Sequence, residues 1–186
     1  MIKAIIILLI GLLALTGYFI SGNLNHQPDF KAGASRQVWL DKNSTDNNIL
    51  VTRVVDGDTL VLEDGKRVRL IGIDTPEIHE SAKLYRDAAR SGRSVQLIKQ
   101  LGQRSFEFTQ SLVVGKRVRL EFDVEKYDRY KRILAYVYLE DGTFVNAKIV
   151  EDGYASLMTY PPNVKHADLF LKLYQQARQE RRGLWQ

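Results

Sequence analysis

Asp56-Gly57-Asp58-Thr59, followed after one short hairpin by Arg69-Leu70-Ile71-Gly72-Ile73-Asp74-Thr75-Pro76-Glu77, places carboxylates and an arginine at the ends of strands that otherwise read as apolar. Carboxylate oxygens suit a hard cation, and a guanidinium beside them suits a phosphate. Together they point to metal-assisted attack on a phosphodiester. Asp-Gly-Asp alone is ordinary turn chemistry, so the argument depends on the strands that carry it.

Ile49 to Val55 is β-rich and stops at Asp56-Gly57, and Leu60-Val61-Leu62 and Val68-Arg69-Leu70-Ile71 flank a second turn signal, Asp64-Gly65. The apolar faces of these two strands coincide only across a loop of odd length. The expectation is a three-residue loop, Asp64-Gly65-Lys66, with Glu63 opposite Arg67, Leu62 opposite Val68, Leu60 opposite Leu70 and Asp58 opposite Gly72. Asp58 and Asp74 then become diagonal neighbours on one face, backbones roughly 5–8 Å apart, and repel unless a cation lies between them. Strict alternation turns Arg69 away from that face.

Residues 78–114 read as helical, with breaks at Gly92 and Gly102 and an apolar stripe of Leu97, Leu101, Phe108, Leu112 and Val113. From Lys83 to Arg104, six basic residues (Lys83, Arg86, Arg90, Arg93, Lys99 and Arg104) stand against one acid, Asp87, which suits a solvated face or a phosphate-tracking patch. Val118 to Phe122 and Ile133 to Leu139 alternate as strands. Phe144 to Glu151 is a short helix, and His166 to Arg182 is a longer one, with Trp185 folding back after it. Five short strands interrupted by helix suit a small Greek-key barrel, mainly β with about three helices, better than an open sheet.

The whole chain has 186 residues, net charge +5 and no cysteine, with a sequence pI near 9.4. Disulfides and thiolate metal sites are excluded, and the charge favours an anionic partner. Ala4 to Ile20 carries no charge, close to the roughly 17–25 residues of a spanning helix, and Lys3 before it favours an inside N-terminus with an exported body. Residues 1–20 are therefore a signal anchor or a cleaved signal peptide, the body being membrane-tethered or secreted accordingly. Residues 21–47 read as a polar linker with one apolar cluster, Val38-Trp39-Leu40, as a short docking contact. Residues 48–186 form the body.

The pattern resembles the staphylococcal nuclease (thermonuclease) family. The resemblance rests on Asp56 to Thr59, on Arg69 to Glu77, and on Tyr127-Asp128-Arg129-Tyr130-Lys131-Arg132-Ile133-Leu134-Ala135-Tyr136, with support from Val145-Asn146 and Gly183-Leu184-Trp185. It implies an OB-fold barrel that hydrolyses DNA and RNA with calcium and leaves 3′-phosphate ends. It implies Asp58, Asp74 and the Thr75 carbonyl as calcium ligands, and Glu77 as the group that orients or deprotonates water. Arg69 and Arg132 bind the phosphate, Arg129 and Tyr130 meet a terminal phosphate, and Tyr160 stacks on a base. Two departures stand out: a longer, helical stretch between Glu77 and Gly102, and Met158 where the family has a second tyrosine. The rival readings are a non-catalytic OB-fold module that only binds nucleic acid and a membrane-tethered interaction domain.

Overall fold

The computed structural model describes residues 48–186. The expected membrane segment, the linker and the Val38–Leu40 contact lie outside the described residues. Among the described residues no helix is long and apolar enough to cross a membrane.

Strands β1 (Ile49–Asp56), β2 (Thr59–Leu62), β3 (Arg67–Leu70), β5 (Arg117–Glu121) and β6 (Ile133–Leu139) close a barrel in the order β1-β2-β3-β6-β5. Neighbours are antiparallel except β3 and β6, which run parallel with Val68 opposite Ile133. This is the expected five-stranded OB-type barrel. Its inside is filled by residues that alternate along each strand: Val51, Leu60, Leu62, Val68, Leu70, Val118, Leu120, Ala135 and Val137.

The β2–β3 loop keeps the expected odd length but sits one residue earlier. Glu63-Asp64-Gly65 is the loop, with Leu62 N–H donating to the Lys66 carbonyl, and Leu60 pairs with Val68 and Thr59 with Arg69. The reason lies in the turn: a three-residue hairpin loop places its left-handed residue last, and Gly65 has φ +81°. The two-residue slide leaves the apolar faces together. It also moves Asp58 opposite Leu70, whose N–H it receives at 2.9 Å, and away from Gly72.

Two short strands outside the barrel were not expected. At Gly72, with φ +84°, the chain leaves β3 and enters β4 (Gly72–Asp74), which pairs with β7 (Ser156–Met158), Asp74 facing Ser156. Buried Asn146 secures this departure: its amide donates to the Ile71 carbonyl at 2.9 Å and accepts from Val137 N–H at 3.0 Å.

The described residues form four α-helices, α1 (Ala82–Ser91), α2 (Val95–Val113), α3 (Val145–Glu151) and α4 (Ala167–Gln179); α2 packs on β1 and α3 on β6, α1 lies against α2, and α4 lies against α3. The count exceeds about three because Gly92, left-handed at φ +67°, separates α1 from α2 as expected. Gly102 does not break α2. A Cβ there would meet the carbonyl oxygens of Pro76 and Glu77 at 2.6 and 2.8 Å, so glycine lets the helix lie against that backbone. The buried face of α2 is Ile98, Gly102, Ser105, Thr109 and Val113, a stripe of mostly small residues, whereas Leu97 is exposed. Trp185 folds back as expected, edge-on to Tyr174 at 5.4 Å between ring centres.

Candidate active site

The small face of α2 fixes the Gly57–Asp58 turn. Thr109 Oγ1 donates to the Gly57 carbonyl at 2.8 Å, and a Cβ on Gly57 would strike Thr75 and Ser105. Asp58, only 4% exposed, is thereby aimed at the start of the loop after β4. Its Oδ2 receives Thr75 N–H at 2.8 Å and Thr75 Oγ1 at 3.1 Å, and its Oδ1 receives Thr59 Oγ1 at 3.1 Å.

Arg69 joins Asp58 on the same side of the hairpin, correcting the expectation that alternation turns it away. Asp58 lies in the turn outside β2, so strand alternation does not set its direction. Arg69 Nη1 pairs with Asp58 Oδ1 and Nη2 with Asp74 Oδ1 at 3.0 Å. Asp58 and Asp74 do converge, then, but through a bridging guanidinium and the β4 departure rather than as diagonal neighbours.

Charge balance follows from burial. Burial opposes the charge of Asp58, yet Arg69 and the bonds from its neighbours hold its pKa below the ordinary aspartate value. Burial and the Asp58 charge raise that of Asp74, and Lys83 and Arg69 offset this only in part. Asp56, whose carboxylate receives Asp58 N–H at 3.2 Å, is pushed up to about 7 by burial and by Asp58.

Lys83 completes the cluster. Its Nζ lies 3.0 Å from Asp74 Oδ1 and 2.9 Å from Glu77 Oε1, and it donates to the Thr75 carbonyl at 3.1 Å. Glu77 therefore stands in the cluster and does not cap α1, whose cap is Ser81 receiving Leu84 N–H. The donor set consists of carboxylates and a main-chain carbonyl, chemistry that fits calcium, and its oxygens already converge on one cationic group. Among the described residues no three acidic or histidine side chains are spaced as a ready metal cage.

The remaining candidates lie along a cleft of about 410 Å³ that Arg69 shares with Arg129, Tyr130, Arg132, Met158 and Tyr160. Asp128 organises one wall. Its Oδ1 receives the backbone N–H groups of Tyr130 and Arg132, both at 2.9 Å, and its Oδ2 receives Arg132 Nε at 2.7 Å. Arg132 is thus aimed by a carboxylate rather than left as a loose loop arginine. Arg129 lies over the Tyr130 ring at 4.7 Å and donates to its hydroxyl at 2.7 Å. Tyr130 and Tyr160 are 64% and 70% exposed, so neither is spent on packing. Met158, in place of a second tyrosine, takes a 3.6 Å contact from Arg69 Nη2 at its sulfur.

Comparison with known proteins decides the family. Residues 67–186 match the staphylococcal nuclease homologue family. The chain belongs to the staphylococcal nuclease family. A thermonuclease of Staphylococcus intermedius is 38% identical over 151 residues, covering 78% of this chain and 82% of that protein. A thermonuclease of Staphylococcus hyicus is 34% identical over 77% of this chain and 78% of its own length. Endonuclease YncB of Bacillus subtilis is 31% identical over 74% of this chain and 61% of its own length. The stretch matched to the nuclease family contains every candidate residue except Asp58, which precedes it.

Four residues of the site were missed or misread in the sequence: Lys83, Thr59, Asp128 and Gly102. In the sequence Lys83 stands within a basic run. That run divides in the structure: Lys83 enters the cluster, Lys99 pairs with Glu80, Arg104 donates to the Gly183 carbonyl, and Arg86, Arg90 and Arg93 are exposed. A signal was available. A lysine in the first turn of a helix opposes the helix dipole, so its presence there calls for nearby carboxylates.

Proposed function

We propose that this nuclease-family chain is a calcium-dependent endonuclease that hydrolyses phosphodiester bonds of DNA and RNA and leaves 3′-phosphate ends. The observation that supports it most is the double membership of Arg69, which touches both buried aspartates and also lines the aromatic and basic cleft. A phosphate held by Arg69 lies at the edge of the carboxylate cluster while the chain on one side of it runs into the cleft.

Asp58, Asp74 and the Thr75 carbonyl would hold the calcium, with water supplying the rest of the six to eight oxygens it prefers. Bound there, calcium supplies Lewis-acid polarisation of a phosphate oxygen. Glu77 orients the attacking water or takes its proton, a role that requires hydrogen-bond reach to that water. Arg69 and Arg132 neutralise charge that builds on the phosphoryl oxygens; Arg132 does so from a guanidinium already aimed by Asp128. Arg129 and Tyr130 receive a terminal phosphate, and Tyr160 offers its exposed ring to a base. Residues 48–186 are the working domain, exported and either anchored by residues 4–20 or released when that segment is cleaved, with residues 21–47 as tether.

The test incubates the full chain with single-stranded DNA, duplex DNA and RNA, with calcium or with chelator, and analyses the new ends. Calcium-dependent internal cleavage with phosphate on the 3′ side is expected. No calcium-dependent cleavage of any of the three would overturn the reading.

A further inference from the structure

Lys83 is the second residue of α1, after the cap Ser81, and the first turn of that helix contains no acidic residue. The position is electrostatically unfavourable for a cation, since helix N-termini carry partial positive charge. Lys83 is held there by three oxygens within 3.1 Å of one nitrogen: Asp74 Oδ1, Glu77 Oε1 and the Thr75 carbonyl. Burial opposes its charge, and Asp74 and Glu77 more than restore it. Two of these three oxygens belong to residues assigned above to calcium. A divalent ion placed about 2.3–2.6 Å from the same two oxygens would stand within a few ångströms of the ammonium, and the two positive charges repel.

We propose that Lys83 is a built-in counter-cation that occupies the Asp74 and Thr75 side of the calcium position, and that calcium binds by displacing its ammonium. The inference rests on the calcium reading above and deepens it: Lys83 sets the affinity of the site for its metal. Displacement needs only a side-chain swing. Leu84, next in sequence, is fully buried and pins α1 to the body, and the pairing of Lys99 with Glu80 ties the loop to α2 without Lys83. The Lys83 side chain is 24% exposed, so a route to solvent is open.

The test compares the full chain with Lys83→Met and Lys83→Arg by calorimetric titration with calcium chloride and by thermal melting in chelator and in saturating calcium. Lys83→Met should bind calcium about tenfold or more tightly, because a like charge has left the site, while Lys83→Arg stays within about threefold of the unmutated chain. In chelator Lys83→Met should melt below the unmutated chain, and saturating calcium should close or reverse that gap. A second measurement needs no variant: calcium should speed acylation of Lys83 by an amine reagent, read by mass spectrometry against Lys99 in the same sample. Unchanged or weaker calcium binding by Lys83→Met overturns the proposal, as does calcium-independent labelling of Lys83. Failure of all three proteins to bind calcium overturns the calcium reading instead.

Discussion

The chain builds two assemblies of aspartate and arginine with opposite priorities. Around Asp58 and Asp74 the carboxylates are buried and crowded, and cations are brought to them from β3 and from α1. Around Asp128 a single carboxylate serves as scaffold, and the groups it fixes are the backbone N–H of Tyr130 and the N–H and guanidinium of Arg132. The pKa directions record the difference. Burial and a neighbouring charge raise Asp74, whereas at Asp128 burial is outweighed by donation from Arg132, and the carboxyl is held below its ordinary value. Crowded carboxylates create a demand for positive charge, and an arginine aimed by one carboxylate offers positive charge to an anion. A metal suits the first assembly and a phosphate the second, and Arg69, bonded within the first, lines the cleft beside the second.

The sharpest way to break the comparison is Arg69→Ala. It leaves buried Asp58 without its cationic partner, so urea unfolding should show a loss of about 3–5 kcal/mol. Turnover of DNA should fall about 10²–10³-fold, as for loss of a transition-state donor. If both effects were those of a surface substitution, the two assemblies would be independent. Gly102→Ala comes next and bears on the carboxylate side alone. Its methyl group meets main-chain oxygens of Pro76 and Glu77 that have no room to yield, at a cost of about 1–3 kcal/mol. Displacement of Glu77 should lower kcat while the affinity of the cleft for a nucleotide end, measured by titration, is kept.

Two single carboxyls, Asp128 in one assembly and Asp56 beside the other, should respond to pH with opposite sign. Asp128 has a folded pKa below its unfolded one, so its contribution to stability is present above the ordinary aspartate value and is lost as pH falls through the lowered one. Asp56, pushed up to about 7, contributes fully below the ordinary value, and that contribution is lost as pH rises through about 7. Melting curves of the metal-free protein should therefore show an acid leg that Asp128→Asn removes and a loss of stability towards neutral pH that Asp56→Asn removes. Asp128→Asn should also weaken the loop that aims Arg132, by about 1–2 kcal/mol, and raise KM.

Much of this was legible from alternation and turn chemistry. The strand Ile133–Leu139 and the break at Gly92 fall where periodicity and glycine place them. The hairpin loop had the right length because the faces of Leu60, Leu62, Val68 and Leu70 demand an odd count, and the wrong position because Gly65 must come last in it. Gly102 could not be read correctly from the chain alone. A glycine within a helix signals a break unless a distant backbone, here that of Pro76 and Glu77, lies against it. Asp74 and Glu77 carried a recognisable motif, but their partner Lys83 was hidden in a basic run whose members have four different fates. β4 and β7 were too short for periodicity to register, and only their pairing defines them.

The parallel pairing of β3 with β6 also governs when the site can exist. Asp58, Arg69, Asp74, Glu77 and Lys83 follow one another closely along the chain, yet the strand bearing Arg69 gains one of its neighbours only when Val68 meets Ile133. Closing a loop that long costs chain entropy before any contact repays it, which slows barrel folds relative to helical ones. A nascent chain that ends before β6 carries all the acidic residues of the site without the wall that holds Arg69 among them. Activity should therefore arise in a single late step as the barrel closes, rather than grow with the length of chain synthesised.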